Sequence, residues 1–484
     1  MTEARSPLFS AAETAEITGG SLAGEDVGRA QGVPIQSVVV DSRKVLPGSL
    51  FVALPGERTD GHSYIEAALR SGASCVIARS DRRSSVEAST LALASEKGAS
   101  LIFVPDALAA LQALARKHRA RFPRLERIGI TGSSGKTTTK ECVAAILGRS
   151  RSIVLNPGNL NSDIGLPLSI FAIRESHEAG IFEMGMSRPG EMGELASIYE
   201  PDIALITNVG AAHVGILGSR DAIAEEKKAI FSRFDGRQAG FVWEDDAYKS
   251  FLKSGVRGNV VDFGPKSTVG FRVMRNLGLD GYDLSWDGLE FRFPLPGKHN
   301  LLDAIGAAAL ASRAGASASD VAGGLASVRP LFGRSEILKG EFTLLRDCYN
   351  ANPDSVEAAI GLCDSIEWAG RRAYVLGSML ELGHESEAAH REMGEIAGQS
   401  AANALFFFGE ETRPAFDAAR LTGFRGLIVY ETNIDRLIAA VRGYIAPKDL
   451  ALLKASRGMA LERLSDALMP SASLEERRET QDVP

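Results

Sequence analysis

The sequence predicts an α/β protein of three domains. These are a small mixed α/β N-terminal domain over 1–124, a central phosphate-loop ATPase domain on a parallel sheet over 125–328, and a C-terminal Rossmann-like domain over 329–469. Three observations predict it. The 484 residues suffice for roughly three domains of about 150 residues each. Strand and helix patterns alternate from residue 125, and the alternation restarts after Arg329. A glycine-rich turn joins the first central strand to a helix, where helix N-termini bind anions.

In the first segment, SVVVDSRKVLPGSLFVAL holds two β-rich pieces, Ser37–Val40 and Ser49–Leu54, parted by the turn former Pro47-Gly48. A helix is expected near Tyr64–Arg70 and a strand near Cys75–Ala78. Pro123 marks a boundary after the basic run RKHRARF, which reads as a solvated helix face. The central segment carries strands at Arg127–Ile130, Ile181–Met184 and Ile203–Val209. Gly240–Leu295, rich in aromatic and β-branched residues, adds antiparallel strands. Leu301–Ala314 is apolar but carries Asp303 and Arg313, and falls short of the ~20 residues of a membrane span, so it reads as a buried helix. The last segment places strands at Thr343–Cys348, Ala373–Leu376, Ala404–Phe408, Gly426–Val429 and Leu450–Leu453, with no GxGxxG after the first. Residues 470–484 read as a disordered tail.

Composition narrows the class. Lys+Arg is 54 and Asp+Glu is 61, a net charge of -7, which argues against a partner held through nucleic-acid phosphates. Cys75, Cys142, Cys348 and Cys363 form no CxxC pair, so neither a zinc site nor a disulfide framework is indicated, and a reducing compartment fits. MTEARSPLFSAAE lacks the apolar core of a signal peptide. A cytoplasmic protein without membrane insertion is expected.

The clearest chemistry lies in ERIGITGSSGKTTTKECVAAIL. A β-run ends at Ile130, a Gly/Ser turn follows, and a helix starts near Lys136. The backbone N–H groups of Thr131, Gly132, Ser133, Ser134, Gly135 and Thr138 suit an anion cradle. Lys136 supplies a point charge for β/γ-phosphates, and the Thr137 hydroxyl is a Mg²⁺ ligand. The spacing is T-G-x-x-G-K-T, since Ile130 stands where the common pattern has glycine.

Other polar residues stand at strand ends, where ligands of open α/β sheets bind. Glu183 closes IFEM, His213 sits in GAAHVG after the strand IALITNV, and Lys227 lies on AIAEEKKAIF. Each has a plain alternative: a turn cap, a loop histidine, a solvent-facing lysine. Asn159, Asn161 and Asp163 in NPGNLNSD suit either hydrogen bonds to a polar substrate or an internal Asx-turn network.

Together, these residues resemble the Mur ligase family, ATP-dependent amide-forming enzymes of peptidoglycan synthesis, from about Asp41 to Arg463. DSRKVLPGSLFVALPGERTDGHSYIEAA is similar to the family's uridine-nucleotide segment, which implies that Asp41, Ser42 and Arg43 lie near the uracil and diphosphate. GNLNSDIGLP (Gly158–Pro167), NANPDS (Asn350–Ser355) and VLGSMLELG (Val375–Gly383) resemble the branch that adds D-Ala-D-Ala to UDP-MurNAc-tripeptide, and the DNPR motif of the diamino-acid-adding branch is absent. The resemblance implies ATP and Mg²⁺ as cofactors, with Thr137 and Glu183 on one ion, His213 on a second, and Lys227 as a carbamylated lysine. It also implies Asn300 at adenine, Arg334 at the ATP phosphates, Asp347 at the ribose, and Lys136, His213 and Lys227 as catalytic residues; the sequence does not give the oligomeric state, and a monomer is favoured. The alternatives are another amide ligase of the superfamily and a non-catalytic nucleotide-binding scaffold. Three departures stand out: Asp303 and Ser378 replace the usual Asn and Asp, and Ala455 makes KASR of the commoner KGSR.

Overall fold

The computed structural model describes residues 7–23, 33–56, 59–86 and 88–470. The expected tail lies outside them from residue 471 on. The chain divides into two compact units. One comprises Met1–Ile128, Ser152–Met186 and Glu191–Asp202; the other comprises Gly129–Arg151, Ser187–Gly190 and Ile203–Pro484.

The first unit holds a five-stranded sheet in the order Ser21–Leu22, Ser100–Val104, Ala73–Arg79, Ser49–Val52, Ser37–Val39. All neighbours pair parallel except the first two. Helices cover parallel sheets on both faces, which is why SLFV at Ser49–Val52 is buried throughout. Phe51, Ile65, Leu69, Val76, Leu101 and Phe103 share its core. The same unit pairs Ile153–Leu155 with Ala179–Glu183, a strand missing from the sequence reading. Arg127 anchors this end, donating to Asp202 at 2.9 and 2.6 Å.

The basic run ends the helix Ala107–Ala120, whose N-cap Asp106 accepts from Leu108 and Ala109 N–H. It is not simply a solvated face, as expected above. His118 and Arg119 are buried: His118 packs among Phe9, Phe122 and Phe171, and Arg119 pairs with Glu200. Burial lowers the His118 pKa to about 4, so the ring is neutral and packs as an aromatic.

In the second unit, Ile203–Ile206, Ala239–Trp243 and Asn259–Phe263 pair parallel, so only part of Gly240–Leu295 is antiparallel as expected. That part is the three-stranded sheet of Phe271–Asn276, Tyr282–Trp286 and Leu289–Phe293. The apolar stretch at 301–314 is the buried helix Lys298–Arg313. Beyond it, six strands order as Glu336–Lys339, Thr343–Asp347, Leu450–Lys454, Arg372–Gly377, Ala404–Phe408, Leu427–Glu431. The last five are parallel, and Glu336–Lys339 is an antiparallel edge. Leu450–Lys454 lies between Thr343–Asp347 and Arg372–Gly377, so the chain order reverses there. Crevices for ligands form at such switch points, outside the carboxyl ends of the strands. Among the described residues, no helix is long and apolar enough to cross a membrane.

Candidate active site

The phosphate loop lies in the second unit. The strand Glu126–Thr131 runs into it, and the helix Lys136–Leu147 leaves it with Gly135 as N-cap at φ 80°. The loop is tied to the next strand end. Ser133 N–H donates to Asn208 O at 3.0 Å, Ser134 N–H to Asn208 Oδ1 at 3.1 Å, and the Thr207 hydroxyl to Ser134 O at 2.5 Å. Lys136 Nζ bridges back to Gly132 O at 2.8 Å. A Cβ on Gly132 would overlap the Thr207 hydroxyl, and one on Gly135 would overlap the Asp303 carboxylate. The cradle therefore admits only glycine at both positions. The Thr131 hydroxyl is buried with no hydrogen-bond partner, facing the same loop.

His213 follows the adjacent strand end, with φ 68° at the start of a short helix. Its Nδ1 is buried without a hydrogen-bond partner and lies 3.6 Å from Glu381 Oε2 in the VLGSMLELG segment. Burial lowers its pKa to about 4, helped by the charges of Lys136 and Lys227, so the imidazole is neutral at pH 7 and free to act as a ligand. Lys227 is fully buried on the helix Arg220–Lys228. Burial pushes its pKa well down, Lys136 pushes it further, and Glu226 and Asp246 oppose the shift. The solvent-facing reading of Lys227 is thereby corrected. A buried amine held toward its neutral form is the form that adds CO₂.

Of the residues expected at the nucleotide, Asn300 is buried and donates to Pro296 O at 2.7 Å, which fixes its amide. Asp303, on the same helix as Asn300, is buried as well. It lies against Gly135 and accepts from the Thr139 hydroxyl at 3.2 Å, within the phosphate loop. Arg334 stacks on Tyr349, with Cζ 4.0 Å from the ring centroid. Asp347 accepts from Ser335 N–H at 3.0 Å and from Lys454 Nζ at 2.8 Å. Around the switch point, three motifs meet: Ser456 Oγ accepts from Leu380 N–H at 2.9 Å and donates to Ala351 O at 3.3 Å. Ser378 donates to Glu411 at 2.7 Å, and the Ala455 methyl packs on Gly377.

The remaining expected residues lie in the first unit. Glu183 is buried, and Asn161 Nδ2 donates to its Oε1 at 2.7 Å. Asn156 brackets the Glu183 backbone, donating to its O at 2.9 Å and accepting from its N–H at 2.9 Å. Asn161 N–H closes a turn onto Asn159 O at 2.8 Å, and Asn159 is exposed. Part of this asparagine cluster is thus the internal network, with Asn161 positioning Glu183. Asp41 caps the turn Ser42–Lys44 and holds Arg43 bidentately at 2.9 and 2.8 Å. Hydrogen bonds from Arg43 lower the Asp41 pKa to about 2. The Arg43 guanidinium stays 87% exposed, oriented and open to an anion.

Sequence reasoning missed Thr207, Asn208, Asp246, Asp354 and Lys454. Asn208 stands at a strand's carboxyl end, which is a usable signal. Asp354 and Lys454 sit inside NANPDS and KASR, quoted above for other residues. Asp246, in WEDDAY, carries no local signature. Among the described residues, no three or more His, Cys, Asp or Glu side chains cluster as a metal site.

Comparisons with known proteins bear on this arrangement. Residues 34–119 match the model of the Mur ligase family catalytic domain, 130–311 the Mur ligase middle domain, and 333–457 the Mur ligase glutamate ligase domain. The chain is 44% identical to the UDP-N-acetylmuramoyl-tripeptide–D-alanyl-D-alanine ligase of Treponema pallidum, across 89% of this chain and 93% of that protein. It superposes on MurF from Acinetobacter baumannii with a TM-score of 0.83 at 27% identity, covering 96% of this chain and 99% of the other. It also superposes on the MurF ligase of Thermotoga maritima in complex with ADP, with a TM-score of 0.75 at 28% identity over 91% and 98% of the two chains.

Proposed function

The chain belongs to the Mur ligase family, and from that premise we propose that it joins D-alanyl-D-alanine to UDP-MurNAc-tripeptide with ATP, giving UDP-MurNAc-pentapeptide, ADP and phosphate. The observation that carries the reading is the pairing of an intact phosphate loop with two basic side chains, His213 and Lys227, kept toward neutrality beside Lys136. The match to the T. pallidum relative along nearly its whole length supports the choice of acceptor.

The chemistry follows from the reactants. A carboxylate is a poor acylating agent, so a terminal carboxylate oxygen of the tripeptide attacks the γ-phosphorus as the bond to ADP breaks. The neutral amine of D-Ala-D-Ala then attacks the acyl carbon, phosphate departs and the nitrogen loses a proton. Lys136 and the loop N–H groups offset negative charge where two anions meet. Asn300, Arg334 and Asp347 orient the nucleotide, while Asp41, Ser42 and Arg43 hold the uridine diphosphate end. Asn159 and Asn161 flank the peptide.

The residues also fit a divalent cation. His213 offers a neutral ring with an orphaned buried Nδ1, Lys227 an amine ready for carbamylation, and Thr137 adds an oxygen donor. These three would hold Mg²⁺, which when bound would neutralise phosphate charge. The same reading assigns 1–124 to the uridine nucleotide and 125–328 to ATP, with 329–469 as the C-terminal Rossmann-like domain, in a monomer of the bacterial cytoplasm with no nucleic-acid partner.

The test is phosphate release with ATP, Mg²⁺ and UDP-MurNAc-tripeptide, with and without D-Ala-D-Ala. Dipeptide-dependent release with a matching pentapeptide product is expected. Release only with a free diamino acid and the shorter precursor would move the protein to another branch of the family.

A further inference from the structure

The turn that precedes His213 has three consecutive backbone N–H groups, and each is held by a side chain from a different element. Val209 N–H donates to Asp246 Oδ2, Gly210 N–H to Ser133 Oγ, and Ala211 N–H to Asp354 Oδ2, all at 2.8 Å. Asp246 follows the strand Ala239–Trp243, Ser133 belongs to the phosphate loop, and Asp354 lies on the helix Pro353–Ser365. Asp354 also packs on the Gly210 Cα, where a Cβ would overlap its carboxylate. Its second oxygen faces Arg220 at 3.7 Å. Two residues on, His213 sits in the left-handed region at φ 68°. A non-glycine residue there is disfavoured, so its position depends on outside support.

The rest of NANPDS has local work. Asn352 and Ser355 form the capping box of the helix, and Pro353 occupies its first turn. An acid at Asp354 favours the helix dipole, but the dipole does not require its carboxylate to reach Ala211.

We propose that Asp354 is a positioning residue for the ligation, fixing the Val209–Ala211 turn and, through it, the His213 imidazole. The proposal rests on the ligase reading above for the role of His213, and on the hydrogen bond alone for the clamp.

The test compares Asp354→Ala with Asp354→Asn, whose amide oxygen still accepts from Ala211. In Asp354→Ala, kcat is expected to fall about tenfold or more, as for a lost charge-assisted hydrogen bond, while ADP affinity stays unchanged. Asp354→Asn should return to within about threefold of wild type, a rescue that a role through the Arg220 ion pair alone would not give. Amide exchange of the peptide over 207–214 should quicken in Asp354→Ala and stay slow in Asp354→Asn. Full activity in Asp354→Ala, or equal loss in both variants, would overturn the proposal. If the wild type itself fails to turn over with D-Ala-D-Ala, the ligase reading fails instead. Exchange then decides alone: faster exchange in Asp354→Ala supports the clamp, and unchanged exchange overturns it.

Discussion

The Lys454 ammonium lies 2.8 Å from Asp347 Oδ2, and the same nitrogen donates to the Asn350 carbonyl at 2.8 Å. Their side chains are 4% and 15% exposed, so this is a desolvated pair at the crevice where the C-terminal strand order reverses. Burial alone would raise the Asp347 pKa, but the charge and hydrogen bond of Lys454, together with His299 and the Ser335 N–H, outweigh it and the net is downward. Breaking such a pair leaves an uncompensated buried charge, typically at a cost of about 3–5 kcal/mol. Lys454→Ala should lower unfolding stability in urea by about that amount, and Lys454→Ala with Asp347→Asn should recover much of it. Because the folded pKa lies below the usual 3.8, the contribution is complete at neutral pH and lost only as pH falls below about 4. Equal stability of the Lys454→Ala single variant and wild type at pH 7 would contradict this account.

Asp303 behaves as an acid that stays protonated. Burial raises its pKa to about 8, against opposing effects of the Thr139 hydroxyl and the Arg334 charge. A protonated carboxyl offers one donor and one acceptor, as the amide usual in the family does. The sign follows: a raised folded pKa gives stability that is complete below the unfolded value near 4 and is lost as pH rises through about 8. Thermal melts from pH 6 to 9 should therefore show wild type declining relative to Asp303→Asn. Catalysis by the variant should stay within about threefold of wild type. Parallel melting curves for the two proteins would show Asp303 ionised throughout.

Much of this was legible in the sequence, for physical reasons. Strand, glycine turn and helix at 127–147 form one local unit, so spacing alone reveals it. Leu301–Ala314 is mostly apolar and reads as a buried helix. What sequence hides is pairing across distance. Lys454 and Asp347 are 107 residues apart, and the turn before His213 is held from three separate segments. Short edge strands such as Ile153–Leu155 and Glu336–Lys339 are too brief for periodicity to detect. His118 misled because composition reports charge, whereas an aromatic pocket decides whether an imidazole carries one.

Lys227 should be modified by CO₂. Full burial disfavours its ammonium, and the Lys136 charge adds to that effect against Glu226 and Asp246, so the balance shifts toward the neutral amine. Protein exchanged into ¹³C-labelled bicarbonate should show a carbamate carbon resonance that is absent from Lys227→Ala. Lys227→Glu, which places a carboxylate nearby, should keep more activity than Lys227→Ala. An identical spectrum for wild type and Lys227→Ala would exclude the modification.

Removing Lys136 tests the charge logic of the whole site. Its ammonium is within reach of the loop carbonyl of Gly132 and lowers the pKa of both His213 and Lys227. Lys136→Ala should reduce kcat by about 10²–10³, the scale of one lost transition-state stabiliser. It should leave the loop glycines and the fold in place. The His213 pKa, held to about 4 first by burial and then by the neighbouring lysine charges, should rise toward its ordinary 6.5, because one opposing positive charge is gone while burial remains. Imidazole proton shifts followed by NMR between pH 3 and 8 read this directly and do not depend on turnover. A His213 titration unchanged by Lys136→Ala would mean that Lys136 does not act on it. Unchanged turnover in the same variant would instead remove Lys136 from the reaction and leave the loop a nucleotide-binding element only.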